Sequence, residues 1–209
     1  MYVADSQNSR VRAIGPTGTI STLSSVASPQ SLALDPDGRL LVADNDGVPR
    51  INPDGSIETV LAAGPGRYVI EGVSNAFFPS AVAVEANGDL VVASFSPKYV
   101  ARFTPNGTLL GAWDDYVSPG GIALGPDGTV YLASYGFFAV ERVGSTGPTA
   151  VTTFTRNSVR GVSHTFRPEG VAVGNDGTIY ATTGGVGGTN DRALVAIAAD
   201  GSVQALAVN

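Results

Sequence analysis

The stretch Pro119-Gly-Gly-Ile-Ala-Leu-Gly-Pro-Asp-Gly-Thr-Val-Tyr-Leu-Ala-Ser134 decides the fold, because the chain repeats it. Pro29-Gln-Ser-Leu-Ala-Leu-Asp-Pro-Asp-Gly-Arg-Leu-Leu-Val-Ala-Asp44 carries the same pattern, as do Pro79–Ser94 and Pro168–Thr183. The opening prolines recur after 50, 40 and 49 residues. A self-similar period of that length, built from strand and turn signals, belongs to propeller blades. Within each copy, the triplets Leu32-Ala-Leu34, Val82-Ala-Val84, Ile122-Ala-Leu124 and Val171-Ala-Val173 are continuously apolar, as a strand covered on both faces requires. The recurring middle alanine suits innermost strands crowded around an axis. Asp37-Gly38, Asn87-Gly88, Asp127-Gly128 and Asp176-Gly177 then supply turn dipeptides that accept positive φ, with Pro36 and Pro126 ahead of two of them.

A second strand follows each turn, through Leu40–Ala43, Leu90–Ala93, Val130–Ala133 and Ile179–Thr182. Third strands are marked by Val11–Ile14, Val48–Ile51, Val100–Phe103, Val140–Val143 and Leu194–Ile197, with arginine recurring at one place (Arg50, Arg102, Arg142). After a further Gly-containing turn, fourth strands run through Ile20–Leu23, Ile57–Leu61, Leu109–Trp113, Ala150–Phe154 and Val203–Val208. Four strands with tight hairpins and no helical periodicity make a blade. The expected architecture is an all-β β-propeller of four-stranded antiparallel blades, four complete and one partial at the N-terminus. The expected domain is single, residues 1–209, with blades at about 1–27 (partial), 28–78, 79–117, 118–166 and 167–209. Met1-Tyr-Val-Ala-Asp5 aligns with Leu40-Leu-Val-Ala-Asp44, so the chain opens on a second strand. The missing first strand is expected upstream or from another chain, since an unpaired edge invites strand addition.

Composition narrows the function classes. The chain has 209 residues, 43% hydrophobic and 14% charged, with 27 glycines and 13 prolines, which fits a turn-rich β protein with a large core. It has no cysteine, which excludes disulfides and thiolate chemistry. Net charge is −6 and Lys98 is the sole lysine, so nucleic acid is not an expected partner. No apolar run approaches membrane-spanning length, so no membrane insertion is expected. The preference for arginine over lysine, with abundant Ala, Gly and Val, points to a bacterial protein. An extracellular or periplasmic location is expected, with any targeting signal upstream.

The stretch Tyr2-Val-Ala-Asp5, Asn8-Ser-Arg10-Val11, Pro16-Thr-Gly18-Thr-Ile20 resembles an NHL repeat, and the later copies are similar. That resemblance implies a propeller, usually of six blades. Relatives of the same shape are the SMP-30/gluconolactonase-like lactonases and the streptogramin lyase-like propellers. The repeat identifies architecture and leaves function to the site.

In a meander blade, the short Asp-Gly and Pro-x-Gly turns share one face and the second-to-third loops and blade links share the other. The longer segments Ala62–Phe78, Asp114–Ser118, Thr155–Arg167 and Thr183–Asp191 read as irregular connectors on that second face, where binding usually sits. They carry the candidate ligand-binding residues Tyr68, Glu71, Asp115, Arg160 and His164, with Trp113 just before the second segment and Glu169 just beyond the third. Aromatic rings beside carboxylates and guanidinium groups suit a small polar ligand such as a sugar or a peptide, or a protein partner. The same residues also read as solvated loops with aromatics covering blade ends.

Catalytic signatures are sparse. His164 is the only histidine, and the resemblance to streptogramin lyases implies a histidine pair that this chain cannot supply. The resemblance to the lactonases implies a divalent metal held by Asn or Asp just after the Pro that opens each first strand. Those positions here hold Gln30, Ser80, Gly120 and Glu169. Calcium takes about six to eight oxygens, and this set offers one strong ligand. Asp44-Asn-Asp-Gly47 resembles the start of a calcium loop but reads as a tight strand connection, because Gly55 stands where an EF-hand needs Glu. No nucleophile elbow occurs. The expected function is a ligand- or protein-binding or sensing module of a larger protein, without cofactor. The alternative is a metal-dependent, SMP-30/gluconolactonase-like hydrolase or lyase using Ca2+ or another divalent metal at the central channel.

Overall fold

The computed structural model describes residues 1–70, 73–95, 98–114, 119–144, 147–153, 158–159, 162–163, 167–184 and 192–208. Strands β1 (Tyr2–Asp5), β2 (Arg10–Ile14) and β3 (Ile20–Ser25) form a first antiparallel sheet. The second sheet runs β4 (Ser31–Leu34), β5 (Leu40–Ala43), β6 (Gly47–Ile51), β7 (Ile57–Ala62), and a hairpin of β8 (Gly64–Ile70) and β9 (Val73–Phe77) follows it. The third sheet is β10 (Pro79–Val84), β11 (Leu90–Phe95), β12 (Lys98–Phe103), β13 (Leu109–Asp114). The fourth is β14 (Pro119–Leu124), β15 (Val130–Ser134), β16 (Ala139–Gly144), β17 (Gly147–Thr153), followed by the short pair β18 (Ser158–Val159) and β19 (Val162–Ser163). The fifth is β20 (Arg167–Val173), β21 (Ile179–Gly184), β22 (Ala193–Ile197), β23 (Val203–Val208). In every sheet the strands lie in sequence order, as hairpin connections require. Two compact units result, Met1–Ala112 and Trp113–Asn209.

Because strand side chains alternate, the second sheet feeds two cores. Leu32, Leu40, Val42 and Ile51 of the second sheet meet Val11, Leu23 and Val26 on one face. Ala33, Leu41, Ala43 and Val48 meet Val82, Val84, Leu90, Val92 and Phe103 of the third sheet on the other. In the second unit, Ile179, Ala181, Val195 and Ile197 pack on Tyr131, Phe138, Val140 and Val151 of the fourth sheet. Each fully buried Leu, Ile or Val side chain contributes about 1.5–3 kcal/mol. First strands lie beside first strands, β4 against β10 and β14 against β20. Close approach is made by glycine as much as by alanine: a Cβ on Gly121 would lie 3.2 Å from Gly170 Cα. Of the four middle alanines, Ala83 is buried, Ala33 and Ala123 are half-buried, and Ala172 is exposed on the far face of the fifth sheet.

The turns differ in one detail from the reading of the dipeptides. Only the glycine is left-handed, at φ +78 in Gly38 and +82 in Gly128, while Asp37 and Asp127 are not. Gly38 N–H donates to Asp35 O and Asp35 N–H to Arg39 O, both at 2.9 Å, the pattern of a type I turn followed by a left-handed residue. The aspartate serves through its side chain: Asp127 Oδ1 accepts the Thr129 N–H at 3.0 Å, and Asp176 does the same for Thr178.

The recurring arginine is a structural clamp. Arg50 is buried, 3.5 Å from Asp35 and from Glu58, and donates to Pro105 O of the next sheet at 2.9 Å. Arg102 pairs with Glu85 at 2.9 Å. Two of the segments read as irregular connectors are in fact paired: Ala62–Phe78 folds as the β8–β9 hairpin and Thr155–Arg167 contains β18 and β19. In β8–β9 the runs Tyr68-Val-Ile70 and Val73-Ser74, with β-branched Val69, Ile70 and Val73, pair in the register Ile70↔Val73, which satisfies backbone groups that an open loop would leave to water.

Candidate functional site

The first strands of the third to fifth sheets break register just after their opening proline, between Pro79 and Ala81, Pro119 and Ile122, and Pro168 and Gly170. Such bulges re-aim one residue. Ser80 turns back on its own blade, donating to Ala93 O at 3.3 Å. Gly120 has no side chain, and a Cβ there would collide with the Glu169 carbonyl. Glu169 is exposed, and its carboxylate crosses onto Gly184. Gln30 is exposed and bonds through its backbone N–H to Ala43 O. One carboxylate among four positions does not make a divalent-metal site. Among the described residues, no group of three His, Cys, Asp or Glu converges on a point.

Glu169 has neighbours of another kind. Gly184, under its carboxylate, is the register partner of Arg167. The Arg167 guanidinium carbon lies 4.7 Å from the centroid of the Tyr135 ring and 5.3 Å from that of Phe138, and Nη1 donates to the Tyr135 hydroxyl at 2.9 Å. Its Nε is shielded from solvent without an acceptor among the described residues. The aromatics come from the connection between β15 and β16, where Phe138 holds φ +54, unusual for a bulky residue and a sign of local constraint. Phe137 is half-exposed beside them. The start of β20, the end of β21 and the β15–β16 connection thus gather a guanidinium, two ring faces and a carboxylate within the second unit. A cation stacked on aromatic rings is held in one plane, ready to present its remaining N–H groups.

The other predicted residues fall elsewhere. Trp113 is half-buried near the end of β13, and its indole lies on Gly147, the first residue of β17, where a Cβ would come within 2.6–2.9 Å of the ring. Its surface is engaged in packing on the start of that strand. Tyr68 lies in β8 opposite Asn75. Glu71, Asp115, Arg160 and His164 lie outside the described residues.

Two hollows lie in the first unit. One, of about 760 Å³, opens on the first sheet over Val3, Asp5, Asn8, Arg12, Ile14 and Ile20. Its charges are spent on each other: Asn8 and Arg12 both donate to Asp5, and together they hold its carboxyl below the usual range. The other, of about 200 Å³, is lined by Asp44, Asp46, Pro49 and Thr59 among others. Asp44 there is buried, which pushes its pKa up, and it accepts the Asp46 N–H at 2.7 Å in a tight strand connection.

Sequence reading passed over Tyr135, Phe138 and Glu141. The run Tyr135-Gly-Phe-Phe138 was visible as three aromatics in one second-to-third connection. Glu141 stands where the third strands of three other copies have Pro49, Ala101 and Val195 and the first has Arg12, so it departs from the apolar residues of its nearest copies. Comparing the copies position by position would have exposed both.

No protein-family model and no curated protein sequence matches the chain. Solved structures do. A gluconolactonase from Xanthomonas campestris is 18% identical over 98% of this chain and 70% of its own, with a TM-score of 0.71. Virginiamycin B lyase from Staphylococcus aureus is 17% identical over 98% of this chain and 65% of its own, at 0.69. A chain of the nidogen/laminin complex is 17% identical over 99% and 74%, at 0.68. The chain therefore has the β-propeller fold, with five antiparallel blades, and spans about two-thirds of the length of the lyase.

Proposed function

We propose that the chain is a ligand-binding or sensing propeller module of a larger protein, built of NHL-like blades. It takes a small polar ligand, a sugar or a peptide, at the blade ends where the β15–β16 connection meets the start of β20. The observation that carries this reading is Arg167 stacked on Tyr135 and Phe138 at hydrogen-bonding distance from the Tyr135 hydroxyl, with the exposed Glu169 carboxylate over Gly184, the register partner of Arg167. Fixed polar groups beside aromatic surface orient a ligand without the ligand having to order them. The nidogen/laminin complex supports the reading in kind, as a propeller engaged with another protein. A bacterial protein working outside the cytoplasm fits the same reading. The test is a thermal-shift screen of monosaccharides and short peptides against the full chain and an Arg167→Ala variant. A ligand that raises Tm in the wild type and not in the variant supports the site. A screen in which every hit is indifferent to Arg167 refutes it.

A second reading, a metal-dependent hydrolase or lyase, is favoured by the likeness to the gluconolactonase and the lyase. It requires a divalent ion, and only Glu169 offers a strong ligand at the positions the resemblance implies. Melting the protein in Ca2+, Zn2+ or EDTA separates the two. A specific ion at about 100 times its Kd stabilises by about 2.7 kcal/mol, and equal midpoints in all three conditions remove the enzyme reading in this form.

A further inference from the structure

We infer that Arg167 is a carboxylate-binding group, so the ligand of the rim site is a small carboxylic acid; this rests on the binding reading proposed above. Arg12, Arg39, Arg50 and Arg102 each meet an Asp or Glu carboxylate. Arg167 meets none among the described residues. What it has instead are two ring faces and a neutral phenol. Those contacts fix the guanidinium plane and leave its charge without a counter-ion among the described residues.

The free edge is the informative one. Nη1 is used by Tyr135, whereas Nε is shielded from solvent and donates to nothing described. A buried donor without an acceptor is a standing cost to the folded protein, and a ligand oxygen removes it once the groups that shield Nε shift to admit it. The Nε–H and Nη2–H edge of arginine matches the two oxygens of a carboxylate in a bidentate pair. Glu169 sets a second requirement. Its exposed carboxylate lies on Gly184, opposite Arg167 in the β20–β21 register, so it repels a second negative charge and accepts a hydroxyl or amide N–H. The chemistry is therefore one carboxylate with a neutral hydrogen-bond donor beside it, which both a sugar acid and an N-acylated amino acid possess.

The experiment is an NMR titration of the full chain, following the Arg167 Nε–H and the Tyr135 ring. Glucuronate is compared with methyl glucoside, and N-acetylphenylalanine with its amide. The acid of at least one pair is expected to shift both signals saturably, with its neutral partner at least tenfold weaker. Which pair responds identifies the source of the carboxylate. Arg167→Lys, which keeps the charge and loses the fork, is expected to weaken the acid about tenfold or more. Glu169→Gln is expected to tighten it a few-fold. If Arg167→Lys fails to fold, Tyr135→Phe, which removes the hydroxyl that turns the guanidinium, is expected to weaken the acid several-fold. Neutral and acidic partners that shift these signals equally overturn the carboxylate assignment and leave the binding reading standing. No shift of either signal with any of the four probes overturns both.

Discussion

Glu141 and Ser134 are buried neighbours on one face of the fourth sheet, and neither Glu141 Oε2 nor the Ser134 hydroxyl has a hydrogen-bond partner among the described residues. Glu141 faces Leu132 in the β15–β16 register and Ser134 faces Ala139, which places them as diagonal neighbours. The corresponding positions of the first sheet hold Arg12 and Asp5, joined at 3.0 Å. The same two places thus carry an ion pair in one blade and a buried carboxyl beside a hydroxyl in another. Burial pushes the Glu141 carboxyl up, and the nearby Ser134 hydroxyl draws it only partway back.

The sign of the pH effect follows. A carboxyl whose folded pKa lies above its unfolded value holds a proton that the unfolded chain has released, so stability falls as pH rises from the ordinary Glu range toward the folded pKa. Glu141→Gln keeps the shape and removes the titration. It is expected to stabilise the protein at pH 7 by about 1–2 kcal/mol, and the gain is expected to vanish below about pH 4. Urea unfolding at both pH values reads this directly. A variant less stable than wild type at pH 7, or a gain that ignores pH, contradicts it.

Arg50 offers the opposite case, a buried charge that is met. Its guanidinium touches Asp35, Glu58 and the Pro105 carbonyl. Asp35→Asn leaves the cation buried with only the half-exposed Glu58 as counter-charge, at an expected cost of about 2–4 kcal/mol. Removing the cation as well, in Arg50→Met/Asp35→Asn, is expected to cost less than the single change, because no charge is stranded and the residue 35 side chain still accepts the Asp37 and Arg39 N–H groups. Chemical denaturation of the two variants decides; a double variant weaker than the single one sinks the argument.

Much of this was legible. Leu32-Ala-Leu34 and its copies announced strands covered on both faces; Val82-Ala-Val84 is buried throughout, whereas Leu34, Leu124 and Ala172 are exposed, and in the second sheet Leu32 and Ala33 still reach separate cores. What escaped reading was of two kinds. The β8–β9 hairpin interrupts the repeat, so periodicity was silent there and the glycines and proline of Gly64-Pro-Gly66 read as loop. The partners of Arg167 lie 29 and 32 residues upstream in the previous blade, and no local spacing signals a contact between neighbouring repeats. Trp113 shows the converse error, since a tryptophan beside two aspartates looks like a ligand platform until the adjacent blade lays Gly147 across it.

Glycines at matching φ separate backbone strain from packing between blades. Gly128 (φ +82) has open space where a Cβ would stand, whereas at Gly107 (φ +83) it would strike the Val60 carbonyl and approach Leu61 Cδ2 to 3.0 Å. Gly128→Ala is expected to cost about 1 kcal/mol, the price of a left-handed alanine. Gly107→Ala is expected to cost about 2–4 kcal/mol, because the fourth strand of the second sheet must move as well. Equal losses in the two variants would mean that the third sheet does not press on β7 through this turn.

The first sheet tests how a blade is held when one of its faces has a partner. Val11 is fully buried against Leu40, Val42 and Ile51, while Ile20, in the strand paired with its own, is 63% exposed beside the hollow over Val3 and Arg12. Val11→Ala removes two methyl groups from a filled core and is expected to destabilise by about 2 kcal/mol. Ile20→Thr keeps β-branching at an open site and is expected to change stability by less than about 0.5 kcal/mol in a monomer. The second variant also reports on association. If Ile20→Thr costs as much as Val11→Ala, and light-scattering mass shows the wild type as a dimer at the same concentration, then the exposed face is covered in solution and the site over Val3 and Arg12 is an interface. A monomeric wild type with a neutral Ile20→Thr leaves the first sheet held through the face that carries Val11, Leu23 and Val26.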